Sequence, residues 1–383
     1  MSVAEASRRR CKRRAGQPHT TMHFIYIQGV MRIMKASNIA ALYSALLALG
    51  VPGIAWVAAA QPVPSFRVTR TVNLGAPDRW DYVVYDDASH DVFVAHGDRI
   101  TVIDGRDGKI VGTIEGMPGG SHGIAISAAT GQGYTDDGGK GMAVVFDLAT
   151  LKVTKQIKTG DDADAMALDS ASGNVYVVDG DPGQLTVIDP KSNTVLATIA
   201  VGGKLEYLVA DGAGKVYVNG EQRHEIVRVD TRSNRVDARW PIPGCESPHG
   251  LAIDTGSHRL FASCANQVMA VVDSDSGVLV ATLPIGNGTD AAAFDPKRKL
   301  VYSSNGRDGT VTVIREQDPL HYLVVTTIKT SVTGRTLGID PATGRLYVAA
   351  AEVDTHAPAA ATPGRRPPLV PGSLSLLYID PTP

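Results

Sequence analysis

Seven ionisable residues recur at one point of an internal repeat: Asp81, His122, Asp164, Glu206, His249, Asp290 and Arg335. Ionisable side chains make up 86 of the 383 residues. Seven in seven by chance is about 3 in 100,000, or roughly one in a thousand after allowing for some 42 registers. The column on one side reads Tyr82, Gly123, Ala165, Tyr207, Gly250, Ala291, Thr336, and that on the other Trp80, Ser121, Ala163, Leu205, Pro248, Thr289, Gly334. Neither shares the bias. Two imidazoles and four carboxylates are a ligand set for a divalent cation, with His122, His249, Asp164 and Glu206 as the foremost ligands, and together with Arg335 they can grip a polar ligand. Trp80 and Tyr82 offer aromatic faces beside Asp81 on which a flat or sugar-like ligand can stack. The same column also reads as a structural ring of ion pairs between neighbouring repeats, worth little energy where water reaches it. No G-x-S-x-G, H-E-x-x-H, Walker or Rossmann motif occurs in a fitting context, so a hydrolase or lyase must draw its acid and base from the ring itself.

The elements that carry this column follow from the repeat. An aromatic anchor falls at Phe93, Tyr134, Tyr176, Tyr217, Phe261, Tyr302 and Tyr347, with an earlier anchor at Asp86, Ser127, Asp169, Asp211, Asp254, Asp295 and Asp340. Each unit holds four short apolar or alternating runs bounded by Gly, Asp, Asn or Pro, as in AMALD, NVYVVD, QLTVIDP and VLATIAV of the third unit. This is strand patterning with hairpin turns, and four strands per repeat of about 42 residues describe a β-propeller blade. An all-β, seven-bladed propeller is expected over residues 61–383. The Asp-rich turns, such as DGRDG from Asp104, are read as turn chemistry rather than calcium loops, because hairpins need Asp, Asn and Gly there in any case.

Calling the strands A to D from the axis outward, the seventh unit stops after its third strand, while a surplus strand, FRVTRTVNL, precedes the first. Pairing these two ends closes the ring with N- and C-terminal strands in one blade and leaves no open edge. The ionisable column then stands where each D-to-A loop enters strand A, around one mouth of the central channel. Parity complicates this, because in a regular strand these side chains share a face with the apolar column Val83, Ile124, Met166, Leu208, Leu251, Ala292, Leu337 and aim between blades. An insertion at 354–373, rich in Pro and Ala, leaves strand B of the seventh unit on the same face.

Residues 31–60 read as a secretory signal peptide: a basic start at Arg32 and Lys35, an apolar run from Ile39 to Leu49, a Pro52-Gly53 break, and small residues up to Ala60. Residues 1–30 are read as a misassigned upstream extension. A periplasmic or secreted location follows, and with it a disulfide between Cys245 and Cys264, the pair left after the leader. No second apolar stretch is long enough to span a bilayer, so no membrane association is expected after cleavage. The chain beyond position 60 carries 29 basic and 38 acidic residues, which argues against nucleic acid as the main partner. A monomer is expected.

The patterns Tyr176-Val177-Val178-Asp179, Tyr217-Val218-Asn219 and V-I-D-x-x-[ST]-[GN] resemble the YVTN-type, YncE-like β-propeller family over about residues 66–383. The resemblance implies a secreted or periplasmic repeat protein and transfers no catalytic residue. Three readings of function stand: an exported binding or interaction module that takes a small polar ligand or a protein at the axial face; a metal-dependent, lactonase-like hydrolase or lyase; and a structural scaffold for protein partners.

Overall fold

A computed structural model describes residues 64–357 and 368–382. The leader and upstream extension expected at 1–60 lie outside the described residues, as does the middle of the insertion, 358–367. Twenty-eight described strands form seven four-stranded sheets, antiparallel throughout. The chain is a seven-bladed β-propeller. In six blades the strands run in chain order from the axis outward. In the seventh, strands Thr336–Asp340 and Arg345–Ala350 are followed by Ser375–Thr382, and the outermost strand is Ser65–Asn73. Its register runs from Ser65 opposite Thr382 to Asn73 opposite Ser375. Both chain ends therefore close one blade, as the strand count anticipates, and the last sheet leaves no half-built edge.

Each sheet is apolar on both faces, so each face must be covered by a neighbouring blade. The core is accordingly divided into seven clusters, one per blade interface. Phe93 and Val102 of blade 1 meet Val144 and Phe146 of blade 2, and Tyr347 and Tyr378 of blade 7 meet Val83 and Val92 of blade 1. The strand-B tyrosines reach further. The hydroxyls of Tyr134, Tyr176, Tyr217 and Tyr347 donate to Asn193, Asn234, the Ser274 carbonyl and the Gly105 carbonyl, each in the C–D turn of the next blade, at 2.5, 3.1, 3.2 and 3.0 Å.

The C–D turns are shaped for this contact. Four residues after the aspartate that ends strand C, the backbone is left-handed at Gly108, Leu151, Asn193, Asn234 and Gly277, a conformation that Gly and Asn adopt at least cost. The aspartate itself accepts turn N–H groups, as Asp189 does from Lys191 at 2.9 Å and Asp230 from Ser233 at 2.8 Å. Turn capping thus accounts for these acidic residues.

Two outcomes test this architecture. Deleting residues 65–73 strips the partner from strand Ser375–Thr382, and thermal unfolding should move down by about 10 °C or more, since ~1 kcal/mol shifts a domain of this size by a few degrees; an unchanged melt would refute closure. Cys245 and Cys264 are bonded, 19 residues apart, and a loop of that length is worth about 3 kcal/mol. The Cys245→Ala/Cys264→Ala protein should lose about that much in denaturant unfolding, and no loss would show the bridge to be dispensable.

Candidate functional site

The innermost strands converge on the axis at one face, and small residues make that convergence sterically feasible. A Cβ on Gly123 would lie 2.2 Å from the Asp164 carbonyl, and one on Gly250 would lie 2.4 Å from the Ala292 nitrogen. Blades 3, 5 and 6 each carry an extra residue at this point, between Ala163 and Met166, Pro248 and Leu251, and Thr289 and Ala292. These bulges contain Asp164, His249 and Asp290. A bulge breaks the two-residue alternation of a strand, which resolves the parity difficulty: the ionisable residues are freed from the interblade face that Met166, Leu251 and Ala292 occupy.

Five of the seven ring residues form a continuous chain across blades 4, 5, 6, 7 and 1. His249 Nδ1 lies 3.4 Å from Glu206 Oε1 and 3.3 Å from Asp290 Oδ1. Arg335 binds Asp290 through Nη1, while its Nη2 lies 3.1 Å from Asp81 Oδ2 and 2.5 Å from the Trp80 carbonyl. This is the interblade ion-pair ring that the column suggests, but it is incomplete. His249 Nδ1 is out of reach of solvent and makes no hydrogen bond, and Arg335 Nε is in the same condition. Burial opposes charge on His249, yet the neighbouring Glu206 outweighs it and the imidazole pKa is raised.

His122 and Asp164 stand apart from that chain. His122 takes its partner from its own blade: Nδ1 is 2.7 Å from Asp136 Oδ2, and Asp136 Oδ1 accepts the backbone N–H groups of His122 and Gly123 at 2.9 and 2.7 Å. The far nitrogen, Nε2, lies 3.4 Å from Arg79. Burial pushes the Asp136 carboxyl up to about 6, against the pull of His122 and the two N–H groups. Burial also opposes charge on His122, but Asp136 prevails and raises its pKa. The Asp164 carboxyl is pushed well up, by burial first and then by Glu206, Asp81 and Asp136.

The two aromatics have different places. Tyr82, from blade 1, crosses to blades 3 and 4, packing with Ala165 and Leu205, its ring centroid 4.8 Å from that of Tyr207. Burial, then Asp164 and Glu206, hold its hydroxyl protonated to high pH. Trp80 packs with Ala351 and Leu374 and lies under the Arg335 guanidinium, 5.9 Å from ring centre to Cζ. It also lines a cavity of about 680 Å³ at the mouth over blades 5, 6, 7 and 1, together with His249, Asp290, Arg335, Arg79, Asn287, Arg307 and Leu369.

The Cys245–Cys264 bridge fastens the loop that delivers His249 to the end of strand B in the same blade, where Pro248 pairs with Cys264. Buried polar residues near the end of strand B hold other ring positions by their backbone: Asn219 Nδ2 donates to the His249 carbonyl at 2.7 Å, and Ser304 donates to the Arg335 carbonyl. The base of the insertion reaches the same mouth, with Gly372 and Leu374 donating to Asp78 at 2.6 and 2.9 Å.

No protein-family model matches the chain, and no curated protein sequence matches it. Among solved structures it is similar to a chain of hydrazine synthase from Kuenenia stuttgartiensis, with a TM-score of 0.63 and 14% identity over 71% of this chain and 92% of that one. At that identity the likeness concerns the propeller fold alone.

The His122–Asp136 pair carries a pH prediction. Because the folded imidazole pKa is raised, its contribution to stability is full below the unfolded value of about 6.5 and is lost as pH rises through the folded one. In Asp136→Asn the carboxylate that raises it is gone, so the His122 pKa, followed by NMR titration of the imidazole, should fall below that of the native protein. An unchanged titration would mean that Asp136 does not govern His122.

Proposed function

We propose that this propeller is an exported binding module that seats a small anionic, carboxylate-bearing ligand in the axial cavity. One observation carries the reading: Arg79 and Arg307 line that cavity, and neither has a carboxylate partner among the described residues, whereas Arg335 is committed to Asp290 and Asp81. Guanidinium groups without a carboxylate partner at a concave mouth are suited to bidentate recognition of a carboxylate. The volume falls within the range of small-molecule sites, and Trp80 and Leu369 supply apolar wall. Asn287 adds a polar side chain to the lining.

Export is supported by the disulfide, a bond that persists in oxidising compartments. The placement is periplasmic or secreted. Kinship with the YVTN-type propellers is supported by the roles of the motif residues, since its tyrosines and turn asparagines strap blade to blade. A second reading, a metal-dependent hydrolase or lyase, draws on His122, whose Nδ1 is held by a buried aspartate in the manner of an oriented general base.

Calorimetric titration with oxalate, succinate, citrate and inorganic phosphate tests the binding reading. At least one carboxylate should bind the native protein, and Arg79→Ala/Arg307→Ala should weaken it tenfold or more, while Arg232→Ala, in a C–D turn on the opposite face, should change nothing. Absence of binding by all four, or equal binding by the double variant, would overturn it.

A further inference from the structure

Within the ring column itself, charge does not balance. The ring holds four carboxylates, Asp81, Asp164, Glu206 and Asp290, and its permanent cation, Arg335, is shared by two of them. The ion pair of Glu206 among the described residues is with His249, and Asp164 has none. Partly buried carboxylates without a cation are costly; burial pushes Asp164 toward its protonated form, and a bound cation can offset the charge of the others.

The atoms that would receive it are already gathered. One ligand atom each from Glu206, His249 and Asp290 lies within 4.8 Å of the others. His249 Nδ1 is 3.4 and 3.3 Å from the two carboxylate oxygens. A charge-assisted hydrogen bond from imidazole to carboxylate is shorter, about 2.7–2.9 Å. Two ligands on one ion with bonds of about 2.1 Å stand roughly 3.0–3.4 Å apart at octahedral or tetrahedral angles. The two nitrogen–oxygen spacings fit ligands of a shared ion, and the missing hydrogen bond agrees: Nδ1 is inaccessible to solvent and makes no hydrogen bond to either carboxylate. The nitrogen thus sits between two carboxylate oxygens, in ion-pair reach of both and hydrogen-bonded to neither.

We propose that Glu206, His249 and Asp290, from three successive blades, form a divalent transition-metal site at the axial mouth. One imidazole nitrogen with two carboxylates suits Zn²⁺ or Mn²⁺ better than Ca²⁺, which takes oxygen ligands. Surrounding groups hold the set in place. Arg335 binds the outer oxygen of Asp290 and leaves Oδ1 free. Asn219 fixes the His249 backbone, and the disulfide anchors its loop. His249 and Asp290 also line the anion cavity, so the site borders the space assigned to the carboxylate ligand. The inference deepens the binding-module reading by giving the ligand carboxylate a metal to join.

The test is titration of the untagged, chelator-treated protein with Zn²⁺ alone, in a chloride buffer free of carboxylate and phosphate. One Zn²⁺ per chain should bind at the ring, with X-ray absorption reporting one imidazole in its shell. His249→Ala and Glu206→Gln should each weaken that binding a hundredfold or more, with melting curves confirming that the variants are folded; His258→Ala, on the opposite face, should leave it unchanged. No Zn²⁺ binding at submillimolar concentration, or binding that both ring variants retain, would overturn the site. Carboxylate titration of the metal-free protein separates the two claims. Carboxylate binding without Zn²⁺ binding defeats the metal site alone. Zn²⁺ binding without carboxylate binding upholds the site and defeats the anion reading.

Discussion

A propeller blade has two apolar faces and no means of covering either by itself, so the blade-to-blade interface is the interaction on which the whole molecule depends. Burial of Tyr176, Val187 and Val218 between blades 3 and 4, or of Leu300, Tyr302 and Leu346 between blades 6 and 7, is available only when the neighbour is present. The tyrosine hydroxyls add direction to this packing. Four of them reach the C–D turn of the next blade, those of Tyr134 and Tyr176 bonding the left-handed asparagine itself, at about 1 kcal/mol per hydrogen bond. Seven such interfaces must close on themselves, which is why the outermost strand of the last blade comes from the other end of the chain.

Closure determines what the axis can be. Sheets that fan outward crowd together at their inner strands, and the chain answers with Gly123, Ala165, Gly250 and Ala291 where backbones touch. Across this constriction the Tyr82–Tyr207 pair spans from blade 1 to blade 4. Above it the strands have not yet paired fully, and bulges in blades 3, 5 and 6 turn side chains out of the interblade packing. Charged groups are tolerated there because they meet one another across blade boundaries, with Arg335 spanning Asp290 and Asp81.

The architecture was legible because strand length, turn composition and repeat spacing are local properties, and seven copies of each average out the departures of any one unit. The ionisable column was legible for the same reason. The shape of the site was not. A bulge is one extra residue in one blade and leaves no repeating mark, so parity alone aimed the ring the wrong way. Asp136 was missed because it lies in strand B, two residues past the anchor Tyr134, where other blades have Ala95, Val178, Asn219, Ser263, Ser304 and Ala349. A polar residue at the buried end of an apolar strand was the available signal, and Asn219 and Ser304 follow the same logic. Arg79 and Arg307 belong to no column at all, and only the three-dimensional ring brings them to one cavity.

These departures from symmetry localise the chemistry. Seven equivalent ionisable positions could have made a uniform wet collar, and the structure instead divides them. Blades 4, 5 and 6 bring Glu206, His249 and Asp290 together; blade 2 withdraws His122 onto its own Asp136; blades 7 and 1 contribute a cation and its support, with Arg335 above Trp80. The frame that repeats is the part that must close, and its tolerance for substitution is limited by packing. The loop ends at the mouth carry no such burden, because a side chain there contributes little to the interblade cores. Function on this scaffold therefore resides in what differs from blade to blade, and blade 5 differs most: its entry loop is tied by the disulfide, and it places an imidazole between two carboxylates without granting its nitrogen a hydrogen bond.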